Sequence, residues 1–275
     1  MIGKTKKAWL LAQSAALLFG GATAIPAAAQ APDPEQWKFT ALIYGYFPKI
    51  SGSSSFPTGT TVNVGVDPSS YLHNLNGAFM GAFQAEKRSW VLFTDVVYAD
   101  VKGSKSGTRD FSLGNLPLPV GLTLDANLKV KSTLWTLAGG YRFVETPQWT
   151  LDLFGGARYL DLNQSLSYNL SADVGPIVGP LRQGSSNFSV NNWDGILGAK
   201  GRVGLGDSRQ WFLPYYADVG TGESNYTYQG YAGLGYTFSW GEVIGVWRYI
   251  DYKLNDNAGT TLKLNGPAIG VALHW

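Results

Sequence analysis

Residues 260–275 read TTLKLNGPAIGVALHW, and the reading of this stretch decides the fold. Counting back from the end, Trp275, Leu273, Val271 and Ile269 share one parity. His274, Ala272, Gly270, Ala268 and Gly266 share the other. Side chains alternate faces along a strand, so one face here is large and apolar and the other is small. A half-buried strand of a water-soluble protein would make its second face polar and bulky. A small face instead suits the inside of a tightly curved wall, with the large face turned to lipid.

The same alternation recurs upstream. Strand-like runs fall at 37–50, 77–87, 90–101, 122–144, 149–162, 187–205, 211–220, 226–239 and 242–254. With the terminal run they make ten. Short turns at Lys87-Arg88-Ser89, Thr146-Pro147-Gln148 and Asp207-Ser208-Arg209 alternate with longer connections. An even count brings the first and last strands together antiparallel and leaves no open edge, which lipid requires. The expectation is an all-β, up-and-down antiparallel transmembrane β-barrel of ten strands, with short periplasmic turns and longer extracellular loops. Splitting 51–76 into a further hairpin would give twelve, and merging two weak runs would give eight. The run 242–254 alternates poorly, which predicts a bulge or register change there.

Composition fits such a barrel. Charged residues make up 15 % of the chain and aromatic residues 14 %, and there are 35 glycines. Soluble proteins average ~25 % charged residues. Mean hydropathy is −0.05, because lipid-facing residues alternate with lumen residues. At the front, Lys4, Lys6 and Lys7 precede an apolar run from Ala8 to Ala24, and Ala27-Ala28-Ala29 follows. This reads as a secretory signal over 1–29, leaving 30–275 as a single barrel domain. Without the three signal lysines, 18 basic residues stand against 19 acidic. The basic sequence pI therefore belongs largely to the signal and implies no nucleic-acid partner. The chain has no cysteine, which removes disulfides and a lipid-attachment site.

In most of these runs the ionisable residues take the parity opposite the large apolar ones. An Arg or Lys facing lipid near the midplane costs ~2–4 kcal/mol, so these residues belong in the lumen. The set is Lys38, Glu86, Asp95, Arg142, Asp152, Arg158, Asp194, Lys200, Arg202, Asp218, Glu242 and Arg248. Six are basic and six acidic. A single-sign ring would argue for an ion-selective pore; a balanced set argues for internal ion pairs that fill a narrow barrel.

Signals for chemistry are weak. His73 lies near Ser69 and Ser70, and His274 lies one residue from the end. Sequence proximity alone does not orient a nucleophile and a base, so His73 is read as an ordinary loop residue. Asp67 can cap a short helix beginning at Pro68. Gly230, Gly233 and Gly235 come close to a dinucleotide-loop spacing, but that loop needs a following helix, and this run alternates as a strand. Its glycines are expected where the wall bends or a ring packs. Asp251, Asn255, Asp256 and Asn257 lack full EF-hand spacing, so no metal or other cofactor is expected. The runs 111–120 and 174–181 are oddly apolar for loops and predict packing against something, the lumen or a hydrophobic small molecule.

The ending, with Gly270, Leu273 and Trp275, resembles the C-terminal assembly signal of bacterial outer-membrane β-barrels. Ala268 stands where that pattern prefers a polar residue. Trp37, Tyr44, Pro48 and Gly52, then Val66-Asp67, Asp95 and Tyr98, resemble an uncharacterised porin-like family of the same class. The resemblance implies location in the bacterial outer membrane. It also implies lipid and lipopolysaccharide as surroundings, and the barrel assembly machinery as a partner through the last strand. Three functions follow in order. The first is a non-enzymatic barrel with a narrow or gated lumen, passing small solutes passively at most. The second is a structural or surface-interaction barrel with a plugged lumen, and the third an outer-membrane hydrolase using His73.

Overall fold

The computed structural model describes residues 35–55, 61–73, 75–107, 122–174, 177–255 and 260–275. The signal segment, the apolar run 111–120, and Asp256 and Asn257 lie outside them. Residues from Glu35 onward form one unit. Its strands are β1 (Lys38–Tyr46), β2 (Lys49–Ser55), β3 (Thr61–Val66), β4 (Leu75–Lys87), β5 (Trp90–Gly107) and β6 (Leu122–Glu145). They continue with β7 (Trp149–Val174), β8 (Ile177–Leu205), β9 (Trp211–Gly222), β10 (Ser224–Thr237), β11 (Glu242–Leu254) and β12 (Thr261–His274). One short helix, α1 (Pro68–Leu72), lies between β3 and β4.

Ten strands, β1 and β4 to β12, pair antiparallel with their neighbours, and β1 pairs with β12 to close the ring. The closing ladder runs from Thr40 opposite His274 to Tyr46 opposite Ala268. Phe39 and Trp275 extend the seam by two further backbone bonds of 2.8 and 3.1 Å.

The first run does not continue unbroken to residue 50. β1 stops at Tyr46, the chain bends at Phe47-Pro48, and β2 resumes along the outer half of β12. Pro48 has no N–H to give the ladder, which interrupts it. The segment after residue 50 is a hairpin, β2 with β3, laid on as an extension of β12. It adds two strands to the sheet but none to the ring. Above the Ile43–Gly81 pair, β1 leaves β4, and the Tyr46 N–H donates to Met80 Sδ at 3.0 Å. Asp67 precedes α1 without capping it by its side chain; its carboxylate pairs with Lys49 at 3.3 Å instead. Tyr71 donates to the Pro48 carbonyl at 2.8 Å, and burial pushes its hydroxyl up to about 12.

Two further corrections concern the outer end. The connection expected between the runs 149–162 and 187–205 is not a loop: β7 and β8 run on as a ladder and leave only residues 175 and 176 between them. The β9–β10 connection is the single residue Glu223. The long connections are therefore largely strand extended beyond the ring, on the β5–β8 side. β11 carries no extra residue of its own: its ladder to β12 runs evenly along Glu242–Lys253, and the register change in its ladder to β10, opposite Lys253 and Leu254, lies on β10. Bulges sit at Leu75/Gly77, Arg142/Val144, Leu170/Ser171 and Ser224/Tyr226.

Outside, a belt of exposed Ile43, Phe83, Leu92, Leu137, Leu153, Leu197, Leu213, Val219, Leu234 and Ile269 circles the ring. Trp37, Trp90, Trp149, Trp211, Trp240 and Trp275 edge it at the short-turn rim, and Trp193, Tyr226, Tyr228 and Trp247 lie toward the other. Trp149 and Tyr159 are ten positions apart on β7. At ~3.3 Å per residue and ~40° of tilt that is ~25 Å, the height of the apolar band of an outer-membrane barrel. No helix among the described residues is long and apolar enough to cross a membrane.

Candidate functional site: the lumen

Ladder partners share a face, so parity can be carried around the ring from Thr40 opposite His274. Through the pairs Lys38–Glu86, Asp95–Thr136, Thr136–Arg158, Arg158–Asp194, Gly198–Asp218 and Asp218–Gln229, every one of the twelve charged residues named from the sequence falls on the inner face. The inner face is not small throughout, as β12 alone suggests. Val97, Leu134, Leu160, Ile250, Tyr252 and Leu254 are buried there and close the outer half of the lumen with Tyr46. β11 reads as poorly alternating because its inward Ile244, Val246 and Ile250 are as apolar as its outward residues.

Below this apolar cap, charges are tied together in layers. Arg248 donates to Asp95 Oδ2 at 2.7 Å, to Tyr44 Oη at 2.8 Å and to Gln229 Oε1 at 3.1 Å. β11 and β5 are four strand positions apart in a ring of ten, so this contact crosses almost the full width of the barrel. Lys200 on β8 donates to Gln84 on β4, again four positions away. Arg158 is fully inaccessible and pairs with Asp218, with Thr136 and Thr227 each at 3.3 Å. Asp194 has a different task. Its carboxylate accepts from the Ser224 N–H at 2.9 Å and the Ser224 hydroxyl at 2.5 Å, which holds the one-residue β9–β10 turn.

Nearer the short-turn rim, Arg142 spans two carboxylates, Glu86 at 2.7 Å and Asp152 at 2.8 Å. Arg202 pairs with Glu242 at 2.7 Å and lies over the Phe212 ring at 3.8 Å. Glu242 also faces His274 Nε2 at 3.3 Å, while Thr40 Oγ1 lies 2.9 Å from His274 Nδ1. His73 is exposed in the turn after α1. Among the described residues no three His, Asp or Glu side chains are gathered to hold a metal ion.

Two cavities open among these inward residues. A wide vestibule of about 630 Å³ at the short-turn rim is lined by Lys38, Glu86, Arg142, Arg202, Glu242 and His274. A chamber of about 180 Å³ sits at mid-barrel, lined by Leu42, Phe93, Tyr216, Tyr231, Ile244, Val246 and Arg248. Lys200, Gln84, Thr40, Pro214, Tyr231 and Ile244 line both. Sequence reasoning missed the neutral members, Tyr44, Gln84, Phe93, Gln229 and Tyr231. Their inward parity was visible, but nothing in one strand's residues shows which partner lies across the ring.

A closed antiparallel ring, inward charges and an aromatic-edged apolar belt together define an outer-membrane β-barrel. No family model matches the chain, and no curated protein sequence does. Solved structures do match. The outer-membrane protease OmpT of Escherichia coli superposes with a TM-score of 0.51, covering 88 % of this chain and 97 % of that one at 10 % identity. The translocator domain of the autotransporter NalP of Neisseria meningitidis reaches 0.42, with 86 % and 88 % covered at 15 % identity. Ail, the attachment invasion locus protein of Yersinia pestis, reaches 0.31, with 87 % and 99 % covered at 10 % identity. The fold is therefore that of bacterial outer-membrane β-barrels, and the belt places the chain in that membrane.

Proposed function

We propose that this is a non-enzymatic barrel whose lumen is plugged by its own side chains, and whose working face is the tall β5–β8 wall at the cell surface. The observation that carries the reading is the Arg248–Asp95 pair, tied at 2.7 Å across the ring beneath an apolar cap. A conducting porin keeps a continuous water-filled lumen; here the inward Arg158 and Tyr252 have no accessible surface. β7 continues fifteen positions beyond Tyr159, ~40 Å at the same rise and tilt, which suits contact with lipopolysaccharide or another surface. The vestibule at the opposite end and the mid-barrel chamber favour a second reading, a gated lumen passing small solutes when the cross-barrel ties part.

Planar-bilayer recording of the refolded barrel separates the two. The plugged barrel gives no steady openings, and Arg248→Ala combined with Asp95→Ala raises the frequency of brief ones. Stable openings of the unaltered protein would replace the first reading with the second. Hydrolysis of lipid or peptide that disappears in His73→Ala would overturn both.

A further inference from the structure

We propose that the mid-barrel chamber is a binding site for a small amphipathic anion, one carboxylate on a ring-sized apolar body, entering from the periplasmic vestibule. The pocket follows from the plugged lumen: it is blind above, where Arg248, Asp95 and Tyr44 close it, and it shares Lys200 and Gln84 with the vestibule below.

The charges of the vestibule select the sign of the ligand. Its three carboxylates are already engaged, Glu86 and Asp152 by Arg142 and Glu242 by Arg202. Lys200 makes no ion pair among the described residues. Its ammonium donates to the neutral Gln84 and rests over the Phe93 ring at 4.2 Å. Lys200, the inward cation at the neck between the two cavities, feels Asp152 and Glu86 without a direct pair, and both of those carboxylates are held by Arg142. Deeper in, buried Arg248 keeps its Nε without an acceptor among the described residues.

The chamber selects the body. An apolar cavity of ~150 Å³ accepts a benzene ring, and this one is about 180 Å³. Phe93, Tyr216, Tyr231, Ile244 and Val246 supply its walls, and the Tyr216 and Tyr231 rings stack at 5.0 Å. A ring placed against them would leave its carboxylate at Lys200.

Benzoate is the test ligand, with benzyl alcohol (ring without charge) and acetate (charge without ring) as controls. Each is titrated calorimetrically into barrel residues 30–275 refolded in detergent, against empty micelles. Benzoate should saturate one site, with both controls at least tenfold weaker. Lys200→Met should weaken benzoate at least tenfold. Ala82→Phe, which fills the chamber from the β4 wall and leaves Lys200 in place, should do the same. Heat-modifiable migration establishes that each variant has folded; should Lys200→Met fail to fold, Ala82→Phe and the two controls decide. No saturable benzoate binding by the unaltered barrel, or binding in both folded variants as strong as in the unaltered barrel, overturns the proposal. Loss in Ala82→Phe alone overturns its anionic half. Steady channel openings would remove the plugged-lumen reading and leave the titration readable on its own.

Discussion

Arg248 on β11 and Asp95 on β5 meet at 2.7 Å although four strand positions separate their strands. Both are largely buried, and Tyr44 and Gln229 also accept from the guanidinium. Removing one partner of a buried pair leaves an uncompensated charge, a cost of ~3–5 kcal/mol, whereas apolar replacement of both is far milder. Asp95→Ala should thus lose ~3–5 kcal/mol in urea unfolding from lipid vesicles, and Asp95→Leu with Arg248→Met markedly less. Equal losses in the single and double variants would show that the tie across the ring is not formed.

Trp275 closes the barrel in two ways. Its backbone exchanges two hydrogen bonds with Phe39, and its ring lies 6.0 Å from Phe39 and 6.2 Å from Phe83 on the outer rim. Trp275→Asp places a charge at the lipid interface, where the aromatic girdle belongs. Export to the periplasm should continue while heat-modifiable barrel disappears from the outer membrane. Normal barrel from this variant would discount the assembly role of Gly270, Leu273 and Trp275.

The parity of β12 was legible because its two faces differ in size from Gly266 to Leu273, and that alternation implied a closed wall. The inward charges were legible for a related reason, since lipid forbids them the other face. Val97, Leu160 and Ile250 were not, because an apolar residue is admissible on either side of a narrow barrel once its lumen is packed. The β2–β3 hairpin was visible only as an option, as its strands are short and follow Pro48. Cross-barrel partners such as Arg248 and Asp95 depend on ring size and stagger, which no single strand encodes. The uneven look of β11 suggested a bulge for the same reason: two apolar faces imitate a register error.

Gly235 on β10 faces inward against the Phe212 ring. A Cβ there would overlap Phe212 Cζ, and Phe212 is itself held under Arg202 at 3.8 Å. Gly235→Val should cost ~1–3 kcal/mol by overpacking. Gly230, where an added Cβ meets only the Tyr216 carbonyl oxygen at 3.7 Å, should accept Ala within ~0.5 kcal/mol. Thermal unfolding of the two variants reads the difference, and equal tolerance would mean that Phe212 is not packed against this wall.

Leu197 on β8 is 69 % exposed, with Gly155 and Val219 as its ladder neighbours and Trp193 four positions nearer the outer rim. In a water-soluble β-protein such a residue would accept a charge within ~0.5 kcal/mol. In a barrel it faces hydrocarbon, and an arginine near the midplane costs ~2–4 kcal/mol. Lys200, three positions along the same strand, bears a charge on the opposite face and lines both cavities. Leu197→Arg should therefore lower the unfolding free energy from vesicles by ~2–4 kcal/mol, and the loss should shrink for substitutions nearer Trp193. A change below ~0.5 kcal/mol would put Leu197 in water, and the outward belt could then not be a membrane surface.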